Sequence, residues 1–199
     1  MNNIINEISK IKDNITLNKT YFTDRLVLVA LKPSQTIKVL DYYTRNREFL
    51  KEWEPIRSES FYSYQFQHEL LKKEHEEYKE KSMIRLWIAK KTNRDKVIGN
   101  ICFSNIIYGN FLSCFLGYKL DKDEVNNGYI TEAVEKGISI MFEEYKLHRI
   151  EANIIPENKR SIRVVEKIGF EKEGLSKRYL KINGEWRDHV HYAIYNDSM

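Results

Sequence analysis

A turn between a predicted strand and a predicted helix contains the residues whose types and spacing first suggest chemistry. A strand-like run ends at Leu120, and after a polar stretch Gly128 begins an amphipathic helix. The first amides of a helix have no acceptor within the helix and lie at the positive end of its dipole, so they can hold a phosphate or diphosphate. Gly128 has no Cβ and lets a bulky ligand approach the backbone. By itself, however, a glycine before a helix most often marks an ordinary turn.

A second segment strengthens the functional interpretation of this turn. Asn158 is placed to cap a short helix, which Gly169 ends just before Phe170. Read together, the two segments resemble the GCN5-related N-acetyltransferase superfamily, in particular the branch that includes the ribosomal-protein alanine N-acetyltransferases. The likeness covers residues 20–195 in outline and residues 117–195 in detail.

The resemblance implies both a fold and a reaction. The fold would be a mixed α/β (α+β) architecture, with a mostly antiparallel sheet of six or seven strands and helices on both faces. The reaction would be direct attack of a primary amine on the acetyl group of acetyl-CoA, the cosubstrate, without a metal. Backbone amides before the helix would hold the diphosphate, and the pantetheine arm would lie beside the strand that ends at Leu120. The implied cofactor-binding residues are Tyr118, Lys119, Leu120, Asn126, Asn127, Gly128, Tyr129, Ile130, Thr131, Asn158 and Ser161.

Two features depart from the usual pattern of this family, the ends of the glycine turn and the position of a tyrosine. The family's glycine turn usually begins with Gln or Arg and ends with Gly or Ala, whereas this one runs from Val125 to Ile130. Many members also have a tyrosine four residues before the Gly-Phe pair, where it protonates the departing thiolate, but this chain has Val165 there. Ser161, a water or unaided release of the thiolate must then serve, and unaided release is chemically tolerable because a thiol has a pKa near 8.5.

Acidic residues are the candidates for the base that deprotonates the amine. Glu151 comes first because it lies on the strand beside the proposed thioester slot, and Asp188 and Glu132 follow. A carboxylate can act directly or through a water if burial or neighbouring charges raise its pKa. For each acid the alternative is an ordinary surface or ion-paired carboxylate. The predicted catalytic residues are Glu151, Ser161 and Asp188.

Hydrophobic periodicity predicts the elements that position these residues. Helices are expected from residue 33 to 47, up to about residue 81, after Gly128, and from residue 158 to 168. The dipeptide Asn183-Gly184 is the strongest short hairpin signal in the chain and should join the last two strands. Earlier strands are expected over residues 23–31, 85–89, 96–106, 111–120 and 149–155.

The amino-terminal residues read as a separate amphipathic helix. Its apolar stripe would pack on its own domain, form a dimer contact or, least favourably, bind a membrane. We therefore divide the chain into this helix at residues 1–20 and a single acetyltransferase domain at residues 21–199, acting as a monomer or homodimer. The stripe consists of Ile4, Ile8, Ile11 and Ile15.

Composition excludes several classes of protein. The 33 basic residues exceed the 29 acidic residues by only four and are interspersed, which argues against direct nucleic-acid binding. Cys102 and Cys114 have no metal-type spacing, and no apolar run suits a leader or a membrane span, so a cytoplasmic protein is expected. The histidine pairs lack accompanying acidic or cysteine ligands, and no G-x-S-x-G or Walker motif occurs. These pairs are His68 with His75 and His189 with His191.

The sequence does not determine the identity of the acceptor amine. The branch resemblance suggests the α-amine of a protein N-terminus, while a small amine such as a polyamine, an amino acid or an antibiotic is the alternative. A noncatalytic sensor of acyl-CoA is the second function class, and turnover distinguishes it from an enzyme. Aromatic residues within 53–66 and polar residues within 183–188 are expected to flank the acceptor cleft.

Overall fold

Eight strands form a single mixed sheet in the computed structural model, which describes residues 19–198. Their order across the sheet is β1-β2-β3-β4-β5-β6-β8-β7, and every neighbouring pair is antiparallel except β5 with β6. The strands are β1 (Thr20–Phe22), β2 (Leu26–Val29), β3 (Ile84–Lys90), β4 (Asn93–Ile107), β5 (Ser113–Leu120), β6 (Arg149–Ile154), β7 (Glu171–Ile182) and β8 (Glu185–Tyr195).

The predicted count of six or seven strands is corrected to eight because an additional edge strand, β1, precedes the predicted first strand at residues 23–31, which corresponds to β2. The backbone N–H of Thr23 donates to the carbonyl of Leu26 at 3.2 Å, and its hydroxyl accepts from the N–H of Leu26 at 3.0 Å. This turn folds Thr20–Phe22 back onto β2 as an antiparallel edge strand. The predicted N-terminal helix lies outside the described residues, apart from Lys19 and Thr20.

Helices cover both faces of the sheet, as predicted. On one face the last two helices pack on an apolar core that includes Ile101, Phe103 and Met141. On the other face the first and third helices cover a second core around Tyr42 and Trp87. Each face of the sheet thus buries its apolar side chains against a separate layer of helices, as a sheet with two apolar faces requires. The helices are α1 (Thr36–Arg45), α2 (Arg47–Lys51), α3 (Tyr64–Glu80), α4 (Tyr129–Glu143) and α5 (Lys159–Ile168).

The helix predicted over residues 33–47 is interrupted at both ends. A single 3₁₀ turn, Pro33–Gln35, precedes α1, and Asn46 separates α1 from α2. The buried Asn46 side chain donates to the carbonyl of Tyr42 at 2.9 Å and accepts from the N–H of Lys122 at 2.9 Å. Asn46 therefore links the end of α1 to the segment that follows β5.

The predicted hairpin between the last two strands is confirmed. Asn183 and Gly184 form a two-residue turn between β7 and β8 and both have positive φ, 46° and 84°. Both central residues of a type I′ turn need this conformation, which explains the strength of the Asn-Gly signal. None of the helices between residues 19 and 198 is long and apolar enough to cross a membrane.

Candidate active site

The parallel strands β5 and β6 pair at only three positions and then separate. The last pair joins Phe115 to Glu151. Within the described part of the chain, no pairing joins Leu116–Leu120 to Ala152–Ile154, although β4 and β8 pair with their outer edges. Backbone groups along both inner edges are thus available to an extended ligand, in the way that a sheet edge accepts an added strand.

A cleft of about 500 Å³ occupies this gap and continues towards the start of α4. Its size is typical of sites for small molecules and cofactors. Nine of the predicted cofactor-binding residues line it, whereas Asn127 and Tyr129 belong to the same turn but lie outside the lining. The nine are Tyr118, Lys119, Leu120, Asn126, Gly128, Ile130, Thr131, Asn158 and Ser161.

The glycine turn, residues 125–131, presents backbone to the cleft. Asn126 and Gly128 both have left-handed conformations, with φ of 64° and 75°. Helix α4 begins immediately afterwards, and no side chain caps its first turn. The leading amides of α4 are consequently free of side-chain acceptors at the positive end of the helix dipole, which is an arrangement suited to an anion.

Arg25, which was not predicted as a site residue, lies between β1 and β2 and stabilises the glycine turn. Its guanidinium donates to the carbonyl of Asn127 at 2.9 Å and to the carboxylate of Glu132 at 2.7 Å. The guanidinium carbon also lies 4.6 Å from the centre of the Tyr129 ring. Because these contacts join residues more than a hundred positions apart, no local sequence pattern identifies them.

Glu132, the third candidate base, is a partner of Arg25 in these contacts. Its carboxylate accepts from the Thr23 hydroxyl and from the backbone and side chain of Arg25. Burial by itself would raise the pKa of Glu132, but these hydrogen bonds and the Arg25 charge hold that pKa below its usual value. Glu132 is thus an ionised structural acid outside the cleft lining.

The start of α5 forms the opposite wall of the cleft. The Asn158 side chain accepts from the N–H of Ser161 at 3.1 Å, which is the predicted N-cap. From β5, the Tyr118 hydroxyl donates to the carbonyl of Ser161 at 2.8 Å and joins the two walls. Burial raises the pKa of Tyr118, so the phenol stays protonated. Three basic residues add positive charge to the lining: Arg160, Arg163 and Lys167.

A mixed aromatic and charged wall lies at the end of the cleft nearest α2. Phe49 and Trp53 provide apolar surface, and the buried carboxylate of Glu54 forms ion pairs with Lys119 and Arg57. Burial favours the neutral acid, but these two cations hold the pKa of Glu54 below its usual value. Trp53 was among the aromatic residues expected near the acceptor, whereas Phe49 and Glu54 were not predicted.

Glu151 and Asp188 do not line the cleft. The Glu151 carboxylate accepts from the Arg149 guanidinium at 3.0 Å, at the last paired position before the strands separate. Asp188 accepts from the backbone N–H of Arg178 at 2.8 Å, which ties β8 to β7. Both would have to act through water, and their catalytic roles stay predictions.

Two further polar residues line the cleft and were missed as site residues. Asn153 projects from β6, and its Oδ1 is buried without a hydrogen-bond partner among residues 19–198. His189 projects from β8 and is only 3% exposed. The period-2 alternation of β6 places Asn153 on the same face as Glu151, and this signal could have identified it. Among the described residues, no group of three His, Cys, Asp or Glu side chains could hold a metal ion.

Comparison with known proteins gives one consistent result. Residues 25–171 match the family described as the acetyltransferase (GNAT) domain. The ribosomal protein uS5-alanine N-acetyltransferase of Escherichia coli is 38% identical over 172 residues, which are 86% of this chain and 88% of that protein. The probable N-acetyltransferase YjcK of Bacillus subtilis is also 38% identical, over 79% of this chain and 86% of its own.

Two solved structures extend these similarities to three dimensions. The ribosomal-protein-S5-alanine acetyltransferase from Vibrio fischeri superposes with a TM-score of 0.86 at 33% identity, covering 90% of this chain and 98% of that chain. RimJ from Mycobacterium smegmatis, determined in complex with CoA-disulfide, gives a TM-score of 0.81 at 26% identity over 87% of this chain and 83% of its own.

Proposed function

This chain belongs to the GNAT acetyltransferase family and is an acetyl-CoA-dependent N-acetyltransferase, and from that premise we propose that its acceptor is the N-terminal α-amine of a ribosomal protein. The observation that carries this proposal is the 38% identity to the uS5-alanine enzyme along 88% of that enzyme's length. The wide, open cleft supports it, because a peptide N-terminus needs room for the residues that follow its amine.

We propose that the glycine turn binds the diphosphate of acetyl-CoA and that the separated edges of β5 and β6 bind its pantetheine arm. The free leading amides of α4, the left-handed residues before them and the unpaired strand edges are the structural features that fit this cosubstrate. Asn158 and Ser161 would meet the arm near the thioester. Arg160, Arg163 and Lys167 would neutralise phosphate charge.

When bound, acetyl-CoA supplies an acetyl group activated as a thioester. The contribution of the chain is to bring this group and the amine together, which removes much of the entropic barrier to an otherwise bimolecular reaction. Ser161 is the proposed proton source for the departing sulfur. Val165, at the usual tyrosine position, is fully buried in the core and contributes only packing.

A direct test measures acetylation of a peptide that carries the N-terminal sequence of ribosomal protein uS5 beginning with alanine. We expect mass spectrometry to find one acetyl group on the α-amine and thiol release to match product formation. A peptide with a blocked α-amine but intact lysines is the control and should stay unmodified. Faster turnover of polyamines, amino acids or aminoglycosides would contradict the ribosomal acceptor, and tight CoA binding without any product would favour the sensor.

We expect Arg25→Ala to weaken CoA binding without unfolding the protein. Loss of the bond to the Asn127 carbonyl frees the glycine turn, and a charged hydrogen bond of this kind corresponds to about tenfold in affinity. Isothermal titration with CoA measures the change. Arg94→Ala removes an arginine that lies over Phe22 and outside the cleft, and its affinity should match wild type. Equal affinities in both variants would argue against a bracing role for Arg25.

A further inference from the structure

We propose that His189 accepts the proton that the acceptor amine loses during acetyl transfer. The first support is its position. Val190 and Tyr192 of β8 point into the core beneath α4 and α5, so the alternation of the strand turns His189 to the opposite face. On β6 the same alternation places Asn153 on that face, because Ala152 and Ile154 belong to the core. His189 and Asn153 thus line the cleft from adjacent strands.

The hydrogen bonding of His189 leaves one ring nitrogen available. Nδ1 lies 3.1 Å from the carbonyl oxygen of Arg187. A carbonyl only accepts, so Nδ1 must carry the hydrogen and donate it. In the neutral ring Nε2 then has a lone pair, and Nε2 has no hydrogen-bond partner in the described part of the chain. This tautomer is the one that a proton acceptor needs.

The surroundings of His189 keep its ring neutral near pH 7. Burial lowers the pKa of His189 below its usual value. The hydrogen bond to the Arg187 carbonyl and the charge of Asp188 oppose this shift, whereas His191 and the Arg187 charge add to it. From β7, the Tyr179 ring lies 5.4 Å from the His189 ring. The charged side chains that line the same cleft are Glu54, Lys119, Arg160, Arg163 and Lys167.

Asn153 provides a second polar contact for the amine. It pairs across the sheet with His191, so His189 is its diagonal neighbour, at a distance of roughly 7–8 Å between such positions. Its Oδ1 is buried without a hydrogen-bond partner among the described residues, so a turn of the side chain towards the cleft would let it accept one N–H of the amine while another N–H is directed to His189. An amide cannot take the proton itself, which makes Asn153 a positioning residue.

Three acidic residues near the cleft each form hydrogen bonds or ion pairs with basic side chains. Glu151 is bonded to Arg149, Glu132 to Arg25, and Glu54 to both Lys119 and Arg57. Cations stabilise the charged forms of Glu132 and Glu54, which weakens these two carboxylates as bases, and the Glu151 side chain is occupied by its hydrogen bond to Arg149. His189, with its free lone pair, is the better proton acceptor.

The proton and electron balance of the step is simple. The nitrogen lone pair forms the new N–C bond, the C–S bond breaks, and its electron pair leaves with the sulfur. The surplus proton on nitrogen passes to Nε2 of His189 and from there to solvent. The thiolate takes a proton from water, or from Ser161 as a water returns a proton to that hydroxyl. Each turnover therefore returns His189 to its neutral form.

The test compares His189→Gln with His191→Gln, a matched change on the same strand and face but outside the cleft lining. The wild-type kcat/KM should fall with decreasing pH below the pKa of His189, because the protonated ring cannot accept. We expect His189→Gln to lower kcat about 10²- to 10⁴-fold and to lose this acidic limb, as removal of a general base does. His191→Gln should keep a wild-type kcat and an acidic limb, and that limb should move towards higher pH because the His191 charge that lowers the pKa of His189 is removed. CoA affinity should be unchanged in both variants.

Two measurements keep the result interpretable if His189→Gln folds poorly. An NMR titration of the wild-type imidazoles should assign to His189 a pKa below 6.5 that coincides with the acidic limb of kcat/KM. In His189→Ala, added imidazole should restore part of the rate. A near-wild-type rate with the acidic limb intact in His189→Gln, or a His189 that is protonated at neutral pH, would overturn the inference.

The test rests on the proposed function only for its choice of acceptor. The assay uses the amine that the wild-type protein acetylates fastest among the uS5 peptide and small amines. If a small amine is the better acceptor, the ribosomal proposal fails while the role of His189 is still measured. If the uS5 peptide is acetylated and His189→Gln is fully active, only the role of His189 fails.

Discussion

Gly128→Val should abolish measurable CoA binding while the protein stays folded. The φ of Gly128 is +75°, a conformation that costs a β-branched residue about 1–3 kcal/mol. A Cβ at this position would meet only an Arg25 nitrogen at 3.4 Å, which is an ordinary contact, so the loss would come from backbone conformation and ligand approach, not from a clash within the fold. We expect the affinity to fall on the order of 100-fold or more, as measured by calorimetric titration with CoA.

Gly109→Val is the matched control for this substitution. Gly109 has a φ of +79°, no atom lies within 4 Å of its Cβ position, and it lies outside the cleft lining. Both variants should therefore lose a similar amount of stability in thermal unfolding, while only Gly128→Val loses CoA binding. Wild-type CoA affinity in Gly128→Val would refute the glycine turn as the diphosphate site.

The parts of the site that were predicted from sequence are those built from local backbone. A left-handed glycine before a helix, an asparagine cap and an Asn-Gly hairpin each depend on residues within one or two turns of chain. The structure has each of them, at Gly128, Asn158 and Asn183-Gly184. Backbone conformation of this kind is set by the residue types themselves, which is why a single sequence identifies it.

The parts that could not be predicted depend on contacts between distant residues. Arg25 meets Asn127 across 102 positions, and the ion pair between Glu54 and Lys119 joins the segment after α2 to β5. The sequence also favoured Glu151 as the base because of its strand, but the pairing of its side chain with Arg149 follows from three-dimensional neighbours. His189 appeared only as one of two histidines on a strand, and its burial and tautomer depend on the packing of β7 and β6 around it.

A buried ion pair lies on the face of the sheet that α1 and α3 cover, which is also the face of Asn153 and His189. Glu74 of α3 and Arg85 of β3 lie 2.8 Å apart, and both side chains are largely shielded from solvent. Arg85 also donates to the Asn100 side chain at 2.8 Å. Removing one member of such a pair leaves the other as an uncompensated buried charge, whereas replacing both by apolar groups is often nearly neutral.

We expect Glu74→Ala to lower the free energy of unfolding by about 3–5 kcal/mol, because Arg85 loses its counter-charge in a low-dielectric site. The double variant Glu74→Leu with Arg85→Met should recover most of this loss. Urea denaturation at pH 7 measures both. The control is Glu76→Ala, which removes an exposed acid paired with Lys79 on the same helix and should leave the free energy of unfolding close to that of the wild type.

The outcome of this comparison distinguishes the packing of the layer beneath α3 from the contribution of its buried charges. If Glu74→Ala lowers the free energy of unfolding no more than Glu76→Ala does, water reaches the Arg85 charge. The side chains beneath α3 are then packed less tightly than their burial implies. If the double variant regains stability and keeps CoA affinity but loses acetylation of the peptide, the buried charges contribute to the acceptor side. Full recovery of both stability and turnover would assign the pair to the fold alone, and the polar contacts to the acceptor would then fall to Asn153 and His189.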